Sequence, residues 1–115
     1  MKVLIIEDDK NLNLEFKLQL EGFGIKTSIA HNGVEAYKIL YNTQKRYQFD
    51  YIIVDLGLPD ENGVEIIKFI KTKFTSKIII YTRKSYEDYK NKCEYDYFCL
   101  KKTQSVQDIV DIILQ

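Results

Sequence analysis

Four short runs of consecutive apolar residues punctuate the chain: Val3 to Ile6, Tyr51 to Val54, Ile78 to Tyr81 and Tyr97 to Leu100. They are continuous rather than alternating, the pattern of strands covered on both faces in a parallel sheet. A fifth segment, Ile25 to Ala30, mixes polar and apolar residues and reads as a strand nearer the edge of the sheet. Between the runs the apolar period lengthens to that of a helix. Leu12, Phe16 and Leu20 form one stripe, with Asp9 or Asn11 to cap it and Gly22 as a stop signal. A second helix opens at Gly33 and runs to about Tyr41, and a third follows Gly63 with Val64, Ile67, Phe69 and Ile70 on one side. Ser105 with Asp108 three residues later predicts a capping box for a last helix, Val106 to Leu114. Tyr86 to Asn91 has room for a short polar helix. Strand followed by helix, five times over, predicts a doubly wound α/β domain: a five-stranded parallel sheet flanked by helices.

Composition narrows the picture. With 115 residues, 45% of them hydrophobic, the chain fits one domain over residues 1–115 with its own core. One proline, five glycines, no repeat and no Ser/Gly-rich linker mark no second boundary. Seventeen basic residues balance seventeen acidic ones, so there is no basic field to hold a nucleic-acid backbone and no direct nucleic-acid binding is expected. Cys93 and Cys99 form no Cys-x-x-Cys pair and point to a reducing compartment. The first apolar run is cut off by Glu7-Asp8-Asp9, too soon for a signal-peptide core or a membrane span, so a cytoplasmic protein with no membrane association is expected. No Gly-rich phosphate loop occurs, which argues against a nucleotide-binding enzyme.

Chemistry gathers where the strands end. Glu7 and Asp8 follow the first run, Asp55 the third strand, Thr82 the fourth and Lys101 the fifth. In an open parallel sheet the carboxyl ends of the strands share one edge, so these residues converge although they are far apart in sequence. Three clustered carboxylates repel unless a cation joins them, and at least one has its pKa raised otherwise. Oxygen donors without His or Cys favour a hard cation, Mg²⁺ rather than Zn²⁺. A carboxylate beside such an ion can attack phosphorus while a lysine and a hydroxyl neutralise and orient the phosphoryl oxygens, and Asp55 is the natural nucleophile. Asp9, Asp60 and Glu61 read as solvated loop or first-turn charges, and His31 as a loop residue without a role.

Taken together, Val3-Leu4-Ile5-Ile6-Glu7-Asp8-Asp9, Asp55-Leu56-Gly57-Leu58-Pro59 with Gly63, Ala30-x-Asn32-Gly33-x-Glu35-Ala36, and Thr82 standing 27 positions after Asp55 resemble the receiver domain of bacterial two-component response regulators over essentially the whole chain. The resemblance implies a flavodoxin-like fold and a regulatory phosphoacceptor rather than an enzyme. It implies that Glu7 and Asp8 bind or orient Mg²⁺, that Asp55 accepts the phosphoryl group and helps hold the metal, and that Gly57 supplies a carbonyl ligand. Thr82 and Lys101 then contact the phosphoryl group, and Phe98 falls at the family's switching aromatic. The implied donor is a histidine kinase or phosphotransfer protein.

The chain also departs from the family. Arg83 stands where a small residue usually leaves a lane for the phosphoryl group; it reaches either inward as a gate, holding Asp55 or a neighbouring acid, or outward to solvent with its stem over apolar surface, and the inward reading is the one expected. Lys101 is followed by Lys102 rather than proline. Counting back favours Lys101, counting forward fits Lys102 slightly better, and Lys101 is preferred. The segment from Thr82 to Lys101 is short, so the fourth helix is expected to be short or distorted. These departures keep a second function open: a phosphorylation-independent module for protein interaction or dimerisation through the last strands and helices. A small hydrolase using Asp55 is a weaker third, with no substrate pocket in evidence. The last helix stops at Gln115 about a turn early, which fits a receiver joined to a C-terminal output domain.

Overall fold

The computed structural model describes residues 1–115. Five strands, β1 (Lys2–Ile6), β2 (Lys26–Ala30), β3 (Tyr51–Val54), β4 (Lys77–Thr82) and β5 (Tyr97–Leu100), form one parallel sheet in the order β2-β1-β3-β4-β5. The helices are α1 (Lys10–Gly22), α2 (Gly33–Tyr41), α3 (Gly63–Lys73), α4 (Tyr86–Tyr89) and α5 (Val106–Leu114). No helix is long and apolar enough to cross a membrane.

Alternate residues of the central strands feed two cores. Leu4 and Ile6, Ile52 and Val54, and Ile78 and Ile80 face α2 and α3 with Leu40, Ile67 and Ile70. Val3 and Ile5, Tyr51 and Ile53, and Ile79 and Tyr81 face α1 and α5 with Phe16, Leu20, Ile109 and Val110. This two-sided burial is why the strand sequences are unbroken apolar runs. The mixed segment Lys26–Ala30 is an edge strand, as its polarity implies.

The β5 run behaves differently from the reading of a strand covered on both faces: Cys99 is buried, but Phe98 and Leu100 are half-buried and Tyr97 is exposed. β5 is the other edge, and the element beside it, α4, has only four residues. No apolar stripe runs through Tyr86–Tyr89: only Tyr89 is packed, half-buried, against the core, while the exposed Tyr86 meets the Phe98 ring edge-on at 5.1 Å.

Local signals explain the helix ends. Asp9, rather than Asn11, caps α1 by accepting from the amides of Asn11 and Leu12. Asn32, Asn62 and Ser105 cap α2, α3 and α5, and Ser105 with Asp108 forms the reciprocal capping box. After α1 it is Gly24, at φ 76°, that takes the left-handed turn, two residues beyond the expected Gly22. On α3 the buried face is Val64, Ile66, Ile67 and Ile70. Phe69 sits at its margin, its ring edge-on to Tyr37 and tilted against Tyr41 of α2.

Candidate functional site

The strand order places β1 between β2 and β3, so the connections leave the sheet on opposite sides at this point and open a crevice at the carboxyl ends. Glu7 and Asp8 leave β1 into the crevice, and Asp55 leaves β3 beside them. One carboxylate oxygen from each of the three lies within 4.8 Å of the others. Thr82 ends β4, and Lys101 follows β5 with its amide bonded to the Thr82 carbonyl at 2.9 Å. The cavity of about 310 Å³ is lined by these five residues with Asp9, Gly57, Arg83 and Lys84, and none is hydrophobic.

Asp55 is 7% exposed and each of its oxygens has a different partner. Oδ1 accepts from the Thr82 hydroxyl at 2.8 Å and from the Gly57 amide at 3.0 Å. Oδ2 accepts from Lys101 Nζ at 3.0 Å. The same ammonium pairs with Glu7, so Lys101 bridges two buried acids. Burial opposes its charge, but the hydrogen bonds it donates to Glu7 and Asp55 outweigh that and raise its pKa. Lys102 is exposed and pairs with no carboxylate, which resolves the choice between the two lysines in the geometry.

Glu7 is 2% exposed, and burial raises its pKa to about 7 against the pull of Lys101. Its backbone is fixed from two sides: its amide donates to the Ala30 carbonyl at 3.0 Å, and its carbonyl accepts from Asn13 Nδ2 at 2.8 Å. Asn13, a buried amide one turn before Phe16 on α1, is a support that the sequence reading passed over; the signal was a polar residue on the buried stripe.

Unfolded, Glu7 loses its proton near pH 4.5; folded, near 7. Between those values the folded state binds more protons, so stability falls as pH rises and the loss is complete above 7. In the absence of divalent ions we expect ~1–3 kcal/mol to disappear between pH 5 and 8. Thermal unfolding in chelator checks this: Glu7→Gln removes that part of the slope, and an equal slope in both proteins contradicts the assignment.

Arg83 lines the cavity without forming the expected pair: no carboxylate lies within ion-pair distance of it, and Lys101 holds the place beside Asp55. The cause is local. Lys101 arrives from β5 with a half-buried stem, whereas Arg83 already stands on the exposed turn beyond β4. Lys84 was not anticipated. Its amide donates to Thr82 Oγ1 at 3.2 Å, and its stem runs so near Gly57 that a Cβ there would lie 3.3 Å from Lys84 Cε. Phe98 lies away from the acidic cavity, between Tyr86 and Tyr95, with ring centroids at 5.1 and 5.4 Å. Tyr81, on the opposite face, is buried with its hydroxyl on the Gln104 carbonyl at 2.6 Å.

A doubly wound domain with three acids, a hydroxyl and an ammonium at its switch point defines the class. The family model for the response regulator receiver domain matches residues 3–113, and the chain belongs to that family. It is 38% identical over 97 residues to the response regulator ArlR of Staphylococcus saprophyticus, covering 84% of this chain and 41% of that protein. The chain thus spans less than half the length of this relative. Among solved structures, the receiver domain of the Francisella response regulator 1452 superposes with TM-score 0.83 at 25% identity, covering 98% of this chain and 93% of that one. TrrA of Thermotoga maritima, solved in complex with Mg²⁺ and BeF, has the same fold, with TM-score 0.80 at 23% identity over 98% of this chain and 96% of that one. The donor set fits a hard divalent ion: three carboxylates within reach of one another and no His or Cys among the lining residues.

Proposed function

We propose that residues 1–115 are one receiver domain that accepts a phosphoryl group on Asp55 from a histidine kinase or phosphotransfer protein, with Mg²⁺, as a regulatory switch in the cytoplasm. The observation that carries this reading is Asp55 itself, a buried carboxylate with Thr82 on one oxygen and Lys101 on the other. Glu7, Asp8, Asp55 and the Gly57 carbonyl would hold the ion. When bound, Mg²⁺ supplies positive charge to the acids and to the phosphoryl oxygens.

The chain's own residues do the rest. A carboxylate oxygen of Asp55 bonds to phosphorus as the P–N bond to the donor's imidazole breaks, and the leaving imidazole keeps the bonding pair. Lys101 stays charged through the reaction because both acids favour its ammonium form. Its ammonium and the Thr82 hydroxyl, donors already aimed at Asp55, turn to the phosphoryl oxygens that replace its charge. The added charge then biases a two-state surface. Phe98, in a half-buried aromatic cluster beside the one-turn α4, is the side chain we assign to that change. Because the match covers only 41% of ArlR, we extend the reading to an output domain in the same regulator and to pairing through the last strands and helices.

Incubation with a small acyl phosphate and Mg²⁺, read by intact mass, tests the proposal. One phosphoryl group is expected on the parent and none on Asp55→Asn, and Asp8→Asn weakens Mg²⁺ binding in calorimetry by at least about tenfold, since a close carboxylate supplies much of the ion's binding energy. No adduct on the parent favours the phosphorylation-independent interaction module instead. Arg83 at the cavity wall, where a small residue is usual, is the observation on that side.

A further inference from the structure

The loop that carries Asp55 and Gly57 is fastened to a helix that contributes nothing to the cavity. Gly57 and Asn62 form an antiparallel bridge, so residues 57 to 62 make a tight turn with Asp60 near its tip. From there Asp60 reaches across to α2. Its Oδ1 accepts from the Gly33 amide at 2.7 Å and its Oδ2 from the Val34 amide at 3.1 Å. These are first-turn amides with no partner inside the helix, and a carboxylate suits the positive end of the dipole. Asn32 already serves the Glu35 amide, so α2 carries one cap from its own sequence and another from a loop 27 residues away.

The approach is close. A Cβ on Gly33 would stand 2.5 Å from the Glu61 Cβ, so glycine is what lets the two loops meet. At the far end of α2, Lys73 from the last turn of α3 donates to the carbonyls of Leu40 at 2.6 Å and Tyr41 at 3.3 Å. The chain segment that starts at the phosphoacceptor therefore grips α2 at both ends, with an anion at its N-terminus and a cation at its C-terminus.

We propose that Asp60 is a positioning residue: by pinning the loop to the start of α2 it fixes where Asp55 and the Gly57 carbonyl stand. Its consequence for metal binding rests on the function proposed above, while its mechanical part is independent of any metal. The two hydrogen bonds that the Gly57 amide donates to Asp55 Oδ1, 3.0 Å, and the Gly63 amide to the Leu56 carbonyl, 3.2 Å, report on the loop directly. Nothing in Asp60 itself touches the cavity, so any effect on the cavity must pass through the loop.

The test compares Asp60→Ala with Asp108→Ala, which removes the exposed carboxylate of the Ser105 capping box on the other face of the sheet. In metal-free protein, hydrogen exchange at the Gly57 and Gly63 amides should speed up by about tenfold in Asp60→Ala and stay unchanged in Asp108→Ala. Mg²⁺ affinity should fall about three- to tenfold in Asp60→Ala alone, with Asp60→Asn between the two because one acceptor remains. Exchange within about twofold of the parent at both amides overturns the proposal whatever the metal does. Faster exchange with unchanged Mg²⁺ affinity overturns the positioning of the ligands. If the parent binds no Mg²⁺, the proposed function fails, and the exchange data still decide whether Asp60 holds the loop.

Discussion

Lys101→Ala will slow phosphorylation by a small acyl phosphate by about 10²–10³-fold, the usual cost of removing one preorganised donor from a developing charge, and will at the same time tighten Mg²⁺ binding. The two effects have opposite signs because one ammonium does two jobs. In the resting protein it sits between Glu7 and Asp55, where it is the sole cation within ion-pair distance of either acid. A divalent ion entering the cluster must compete with it, so its loss leaves two acids with a stronger demand for an external charge. In the transfer proposed above, the same ammonium is the charge that meets the phosphoryl oxygens. Arg83 and Lys84 line the cavity but form no ion pair there, so neither is placed to substitute. Rates followed by intact mass, with Mg²⁺ affinity from calorimetry, separate this from a general loss of structure, which would weaken both. Lys102→Ala should change neither. A Lys101→Ala protein that is phosphorylated at the parent's rate would remove the lysine from the mechanism.

The parts of this molecule that were readable beforehand are those where one residue type answers to one physical need. Tyr51–Val54 and Tyr97–Leu100 coincide with β3 and β5 to the residue, because unbroken apolar runs between polar punctuation have few other uses. The capping box on Ser105 and Asp108 is equally local and is found where expected. The acids, Thr82 and Lys101 meet because each ends a parallel strand, a consequence of topology that needs no distances. What could not be read depends on which way a long side chain turns. Arg83 and Lys84 follow Thr82 in sequence with nothing to say which lies over Gly57, and the turn beyond β4 settles it in favour of Lys84. Asp60 looked like a solvated charge beside its own helix; instead it caps another one, a contact set by the packing of two loops. The partial exposure of Phe98 and Leu100 likewise follows from what lies over their face of β5, a helix one turn long.

Gly63→Ala will destabilise the fold and damage the site together, the largest stability effect expected of any single added carbon here. Gly63 opens α3 directly behind Asp55, with its amide on the Leu56 carbonyl at 3.2 Å. A Cβ at this position would lie 2.6 Å from the Asp55 carbonyl oxygen and 2.7 Å from the Leu56 Cα. Both obstacles are backbone, so no side chain can swing away. Either α3 lifts from the sheet, where Val64, Ile66 and Ile67 are buried, or the end of β3 moves and takes the Asp55 carboxylate out of reach of Thr82 and Lys101. Overpacking of this kind costs about 1–3 kcal/mol and at times more. Gly22→Ala is the internal comparison: it adds the same methyl to a helix with nothing within 4 Å of it. There the reduced freedom of the unfolded chain should leave stability unchanged or up to about 1 kcal/mol higher. Urea midpoints at constant m-value decide between these outcomes, and Mg²⁺ affinity measured well below the transition shows whether β3 or α3 gave way. Should Gly63→Ala unfold at the parent's midpoint, the close approach of α3 to the end of β3 described above is wrong.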